Sequence, residues 1–336
     1  MEKEITLNDT IMAQLKTTFA GLTLKNPIII SSSGLTNSAE RIKKLEEAGA
    51  GAAVLKSVFE EQINMQAGTM HGYGAPEADD YLNAYVRSHA LNEYISLIEE
   101  AKKTCTIPVI ASINCYSDNE WVDFAKLMEK AGADALEINI LALQTEKEYI
   151  PGSFEQRHID ILRHVKKEVR IPVIMKLGSN FTNPITLIEQ LYANGADAVV
   201  LFNRFYQTDI DIENLTFCNA HVLSEESELA DRLRWTAIAS ASVPKLDYAV
   251  SGGIHNGKGL VKAILAGACA SEICSTVYQN GAEIIGTMLD ELAQWMDAKG
   301  FKSIESFRAK MNAEAAGDIN PFERTQFMKY YSEHKE

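Results

Sequence analysis

What this chain is short of narrows its function first. Its five cysteines, Cys105, Cys115, Cys218, Cys269 and Cys274, form no CxxC pair and are odd in number. A disulfide framework and a structural zinc site are therefore not expected, and most of the thiols read as small buried hydrophobes. Basic residues are outnumbered, with 32 lysines and arginines against 46 acids and a net charge of −14. That balance argues against nucleic acid and anionic lipid as partners. No apolar run is long enough to span a bilayer, and the opening MEKEITLNDT has neither a basic region nor an apolar segment. The expectation is a soluble cytoplasmic protein with no membrane partner. The histidines scatter over loops and helices without ligand spacing, so no metal is expected. GxSxG and Walker patterns are also missing.

What is present is an internal repeat, in a chain of 336 residues that is 46% hydrophobic and so able to bury a large core. Four times a helical pattern ends in a small-residue motif that runs into an apolar strand: AGAGAAVLK from Ala48, AGADALEIN from Ala131, NGADAVVLFN from Asn194 and AGACASEIC from Ala266. The glycine in each suits the left-handed position just past a helix. Between them proline opens a strand in NPIIIS, IPVIAS, IPVIMK and VPKLDYAV, where it removes no interior ladder bond. The two series alternate strictly as Pro27, Gly49, Pro108, Gly132, Pro172, Gly195, Pro244 and Gly267.

Eight buried strands with amphipathic helices between them predict an α/β protein, a closed (β/α)8 TIM barrel forming one domain over residues 1–336. A doubly wound open sheet is the alternative, but it calls for GxGxxG after the first strand and SSSGLTNS does not supply it. Residues 17–24 read as a hairpin that plugs the far end of the barrel. Long loops follow strand two, Val58 to Ala90, and strand six, Arg204 to Asp231, as lids, substrate walls or packing and dimer contacts. Residues 313–336 form a C-terminal extension, in which Phe322, Phe327, Tyr330 and Tyr331 suggest an apolar face docked on this subunit or a partner.

Barrel enzymes carry their chemistry at the C-terminal ends of the strands. Those ends are Ser31 to Gly34, Lys56-Ser57, Asn114, Asn139, Lys176, Asn203, Ser251 to Gly253 and Cys274-Ser275. Lysine rarely ends an apolar strand without a partner, so Lys56 and Lys176 point to an anionic or electron-rich ligand. The plainer reading is a snorkelling lysine or a salt bridge to Glu137 or another carboxylate. Asn114, Asn139 and Asn203 add amides to the same mouth. The stretch Tyr248 to Ser275 reads as strand, Gly-Gly turn, helix and strand, either a phosphate cradle or merely a tight turn with a helix cap. A phosphate-binding lyase or aldolase, with Lys56 or Lys176 as Schiff base, fits these residues as well.

From TFAGLTLKNPIII to FKSIESFRAKMN the chain resembles the dihydroorotate dehydrogenases, the soluble class-1 branch in particular. The resemblance implies a flavin-dependent dehydrogenase with FMN at the barrel mouth, working on a small molecule as a homodimer. It carries Lys56-Ser57 over as the pair after strand two, whose lysine reaches flavin and substrate. Asn139 matches the first asparagine of the family's N-L-S-C-P-N stretch, Lys176 the lysine at the flavin N1/O2 edge, and Asn203 a substrate-contacting amide. Gly252-Gly253 with Cys274-Ser275 match the phosphate turns, and Ser33 and Gly34 join the cofactor set. Asn114 joins the substrate amides.

Several positions depart from the family. N-L-S-C-P-N reads Asn139-Ile140-Leu141-Ala142-Leu143-Gln144, so alanine stands where the family's proton-abstracting cysteine is expected. Val58 to Met70 lacks the family's R-x-G-N-P-x-P-R run, Arg204 replaces a small residue, and Cys274 stands in place of glycine. Cys115, beside Asn114, and Tyr149 are the candidate substitutes for the missing base. A non-catalytic flavin-binding homologue is also compatible with Ala142.

Overall fold

In the computed structural model the structure describes residues 15–59, 91–115 and 121–317. Among the described residues, eight strands close the barrel: β1 Ile28–Ile30, β2 Ala52–Val54, β3 Val109–Asn114, β4 Ala135–Asn139, β5 Val173–Gly178, β6 Ala198–Asn203, β7 Asp247–Ser251 and β8 Ala270–Ile273, and a ninth, two-residue strand, Val58–Phe59, pairs with the end of β3. Every neighbour is parallel, and β8 pairs with β1 through Glu272 opposite Ile29, which closes the barrel. The expected (β/α)8 architecture is the one observed. Helices alternate with the strands: α1 Ala39–Glu47, α2 at 91–104, α3 Trp121–Lys130, α4 Ser153–Glu168, α5 Pro184–Ala193, α6 Leu229–Ser242, α7 Gly257–Ala266 and α8 Ile284–Lys299.

Local chemistry explains the punctuation. Gly267 ends α7 at φ 118° and its N–H bonds back to Ile264, while the next amide, Ala268, reaches Ala263. The chain can turn from helix to strand in a left-handed conformation only glycine adopts cheaply. Starts are capped by side chains: Ser38 accepts from Arg41 N–H, Asn183 from Thr186 N–H and Asn256 from Gly259 N–H. Pro184 follows its cap at the first helical turn, where no hydrogen bond is lost.

Strand alternation divides the core in two. One set faces the helices; the other, including Ile29, Ala52, Ile110, Ala135, Ile174, Ala198 and Ala249, packs with Phe19 and Leu24 as a separate cluster. Phe19 and Leu24 belong to the hairpin Thr17–Phe19 and Leu22–Leu24. Its position is held by Thr17 Oγ1 donating to Cys269 O at 3.0 Å and Ala20 N–H donating to Asp247 Oδ2 at 2.9 Å.

Several short elements were not expected from the sequence. An exposed hairpin, Thr208–Asp211 with Thr216–Asn219, stands inside the loop after β6, and a short helix, Ser275–Asn280, follows β8. The hairpin alternates acids with Ile210, Ile212, Leu215 and Phe217, all exposed, so its acids read as an ordinary solvated loop. Residues 60–90, most of the loop expected after β2, and 318–336, with the expected aromatic face, lie outside the described residues. Among the described residues no helix is long and apolar enough to cross a membrane.

Candidate active site

The C-terminal strand ends surround a cavity of about 1160 Å³. Ser33, Gly34, Lys56, Ser57, Asn114, Asn139, Lys176, Asn203, Gly252, Gly253, Cys274 and Ser275 all line it, so one mouth collects the strand-end residues singled out by sequence. Strand periodicity explains the convergence: Ser112 and Asn114 on β3, Glu137 and Asn139 on β4, and Ile174 and Lys176 on β5 are spaced two apart and share the inner face. Asn203 Nδ2 donates to Asn139 Oδ1 at 2.9 Å, and Asn203 Oδ1 accepts from Arg204 N–H at 2.7 Å. The paired amides are thus oriented before any ligand arrives.

One end of the cavity is a backbone turn. Gly252 and Gly253 take φ values of 93° and 77°. A Cβ on Gly253 would lie 2.5 Å from Leu229 N, a backbone atom that cannot swing aside. The turn is fixed by the β6 loop: Gly253 N–H donates to Ser224 Oγ at 3.3 Å, and Ser224 N–H donates to Ser275 Oγ at 2.9 Å. His255 Nε2 lies 3.3 Å from the same Ser224 hydroxyl. Ser224 and His255 were missed in the sequence because their contacts join segments distant along the chain.

Beneath the mouth lies a buried polar layer. Lys176 Nζ donates to Glu272 Oε2 at 2.6 Å and to Ser31 Oγ at 3.0 Å, with Glu137 Oε1 3.6 Å away. The side chains are 5% exposed for the lysine and 1% for each glutamate. Ser31 donates to the same Glu272 oxygen at 2.9 Å. A hydroxyl chain runs back toward the mouth: Ser112 Oγ donates to Glu137 Oε1 at 3.5 Å, Ser57 Oγ lies 2.8 Å from Ser112 Oγ, and Ser32 Oγ lies 2.9 Å from Ser57 Oγ.

Two carboxyls around one lysine cannot both ionise in so dry a place. Burial, then repulsion from Glu272, pushes Glu137 well above the carboxylate range, so it is an uncharged acid. Burial works against the Glu272 anion too, but attraction to Lys176 and the hydrogen bonds from Glu137, Lys176 and Ser31 keep it below its usual value. For Lys176, burial alone would lower the pKa; the one negative charge held by the Glu137 and Glu272 pair overcomes it and raises the pKa above the ordinary range. The plainer sequence reading of Lys176, a salt bridge to Glu137 or another carboxylate, is therefore present, with Glu272 as the nearer partner. The charge expected at the flavin edge is balanced inside the protein.

Other candidates fall differently. Cys115 is 2% exposed in the apolar core and does not line the cavity, because Asn114 takes the inward position and its neighbour on the chain must face away. Tyr149 directs its hydroxyl to Glu155 Oε2 at 3.4 Å and is likewise not a lining residue. Neither is placed to act as the substitute base. Leu141 lines the mouth, whereas Ala142 packs against the core and accepts from Asn180 Nδ2 through its carbonyl at 3.0 Å. Cys274 has φ −146°, outside the left-handed region that favours glycine. Burial pushes its thiol pKa up.

The long loop after β6 supplies Arg204, Phe205, Tyr206, Val222, Leu223 and Ser224 to the wall. Arg204 is held by Glu228, with Nε to Oε2 at 3.1 Å, and donates from Nη1 to Val222 O at 2.7 Å. Among the described residues no group of His, Cys, Asp or Glu side chains is arranged to hold a metal ion.

Comparison with known proteins agrees with this geometry. The family model described as dihydroorotate dehydrogenase matches residues 14–296. A relative in Thermoplasma volcanium, called dihydroorotate dehydrogenase B (NAD(+)), catalytic subunit, is 30% identical over 88% of this chain and 97% of its own. A protein of the same name in Methanocaldococcus jannaschii is 27% identical over 84% of this chain and 93% of its own. In Aeropyrum pernix a putative dihydroorotate dehydrogenase A (fumarate) is 24% identical over 87% and 95% of the two chains. With the closed barrel, the collected strand ends and a family match that spans most of its length, the chain belongs to the dihydroorotate dehydrogenase family.

Proposed function

We propose that this protein is an FMN-dependent oxidoreductase that oxidises dihydroorotate or a related small molecule, a step of pyrimidine biosynthesis if dihydroorotate is the substrate. The observation that carries the reading is the meeting of Lys56, Lys176 and three asparagines in a cavity that also holds a turn only glycine can form. These residues fit a flavin nucleotide. The Gly252-Gly253 turn, with Ser224 and Ser275, suits a phosphate that must approach the backbone closely. When bound, FMN supplies the hydride acceptor.

The chain's own groups orient the substrate. Asn114, Asn139 and Asn203 offer amide donors and acceptors to a ring bearing C=O and N–H groups, and Lys56, exposed at the mouth, offers a cation to a carboxylate. Phe59, Phe205 and Tyr206 add aromatic surface to the wall. Ala142 can hold no proton, so proton removal from dihydroorotate would need another group. The lyase reading loses Lys176, whose ammonium is held protonated by Glu272 and is no nucleophile in that state.

The test is FMN uptake followed by anaerobic titration with dihydroorotate. The expected result is a yellow protein that dihydroorotate bleaches. A colourless protein that takes up no added FMN overturns the reading. A yellow protein bleached only by another donor keeps the flavin chemistry and overturns dihydroorotate. The relatives' names divide between NAD(+) and fumarate, so reoxidation by each identifies the acceptor. A homodimer accords with the exposed Ile210, Ile212, Leu215 and Phe217 of the hairpin. Sedimentation giving a monomer would exclude it.

A further inference from the structure

The lysine beneath the mouth does not act as an isolated charge. Its ammonium has three N–H donors, of which one goes to Glu272 at 2.6 Å and one to Ser31 at 3.0 Å. The Glu272 oxygen that receives the lysine also receives the Ser31 hydroxyl at 2.9 Å, so two donors favour its anionic form. Glu137, 3.6 Å from the ammonium, adds no second negative charge because it is an uncharged acid. The remaining neighbours in this layer, Ser57 and Ser112, are hydroxyls, and the nearby Cys274 is a thiol. The layer thus holds one cation and one anion in direct contact.

We propose that Glu272 neutralises Lys176, so that a flavin bound at the mouth meets a balanced ion pair in place of a positive charge and is held at a lower reduction potential. The inference rests on the FMN reading above and deepens it. Reduction by hydride transfer brings two electrons and one proton from the donor to the flavin; unless a second proton follows from solvent, one negative charge stays on the ring. An unpaired ammonium beside the ring would stabilise that charge. An ammonium in contact with a carboxylate does so far less, because each increment of attraction from Nζ is opposed by repulsion from Glu272. The reduced state is disfavoured, and the bound flavin becomes the stronger reductant once reduced.

The experiment is the midpoint potential of FMN on the full chain at pH 7, measured by equilibration with a reference dye. Glutamine at position 272, placed on a chain that carries Glu137→Gln so that Glu137 cannot ionise in its stead, keeps an acceptor for Lys176 and Ser31 and removes the charge. On that chain Glu272→Gln is expected to shift the two-electron equilibrium at least tenfold toward reduced flavin, a rise of about 30 mV. Glu137→Gln alone exchanges one uncharged group for another in the same layer and is expected to change that equilibrium less than twofold. This contrast separates charge from packing, since a structural role would move both.

A double-variant potential within twofold of the parent, or equal rises in the double and the single variant, overturns the inference. Glu272→Met on the same Glu137→Gln chain removes the same charge if the amide variant does not fold. A chain that binds no FMN overturns the functional reading and this inference together. FMN bound with an unmoved potential overturns the inference alone.

Discussion

Replacing Lys176 by methionine tests the buried layer directly, without any ligand. The substitution keeps most of the apolar stem but leaves Glu272, 1% exposed, with no cation and only the hydrogen bonds from Ser31 and Glu137. At 2.6 Å the lost attraction is about 6 kcal/mol at an effective dielectric of about 20. Desolvation of the lysine no longer opposes it, and pairs broken in this way cost about 3–5 kcal/mol. The sign with pH follows from what Glu272 must do next. Without its cation it has to protonate, so its folded pKa rises above that of the unfolded chain. The variant therefore takes up a proton on folding, and its deficit grows as pH rises and shrinks as pH falls. The slope is about 1.4 kcal/mol per pH unit while Glu272 is protonated only in the folded state. Urea unfolding of the parent and Lys176→Met at pH 5, 6, 7 and 8 reads this out. The double variant Lys176→Met with Glu272→Gln should recover part of the loss and flatten the slope. A deficit below about 1 kcal/mol, or one equal at pH 5 and pH 8, would refute the assignment of Glu272 as the ionised partner.

Two glycines with nearly the same backbone angle separate strain from collision. Gly253 has φ 77° with Leu229 N 2.5 Å from a built Cβ, whereas Gly300 has φ 74° with nothing within 4 Å. Gly253→Ala is expected to weaken FMN binding at least about tenfold, while Gly300→Ala costs about 1–2 kcal/mol of stability and leaves FMN affinity unchanged; equal FMN affinities in the two variants, read by flavin fluorescence titration, would sink the cradle. A carboxylate clamp gives a second pH dependence. Glu46 Oε1 accepts from Thr106 N–H at 2.8 Å and Ile107 N–H at 3.1 Å, and Lys43 donates to Oε2 at 2.9 Å. Burial opposes its charge, but the Thr106 and Lys43 hydrogen bonds win and lower its pKa to about 2. The resulting stabilisation, about 3 kcal/mol, is present in full above the unfolded value near 4.5 and disappears as pH falls through about 2. Glu46→Gln should therefore unfold more easily than the parent at pH 7 and equally at pH 2, and a gap of the same size at both would contradict the clamp.

The barrel was legible because its punctuation is local. Gly49, Gly132, Gly195 and Gly267 each end a helix at positive φ, and each requirement is visible within a few residues of sequence. The lining residues were legible for a related reason: once a strand is placed, the inward-facing residue nearest its C-terminal end must reach the mouth. What stayed hidden joins distant parts of the chain. Ser31 lies 145 residues from Lys176, and Glu272 lies 96 residues from it. Their meeting depends on β8 closing against β1. The cue was nonetheless there, since a glutamate inside ASEIC, two residues after Ala270 on the inner face, must find a cation within the barrel. The same alternation argued against Cys115, because Asn114 already held the inward position.

The resemblance divides across the mouth according to what each part is made of. The cradle is backbone, a Gly-Gly turn braced by serine hydroxyls, and its geometry survives wherever the turn does. The opposite wall is side chain, where Leu141 now faces the cavity, Ala142 holds no proton and loop residues such as Arg204 and Tyr206 complete the surface. A cofactor grip can thus persist while the substrate contacts change, because the first rests on φ angles and the second on individual residues. Lys176 stands between the two. It remains at its strand end in contact with Glu272, so identity at one position does not by itself transfer an electrostatic role. For this site the role of a lysine is decided by the carboxylate 2.6 Å away.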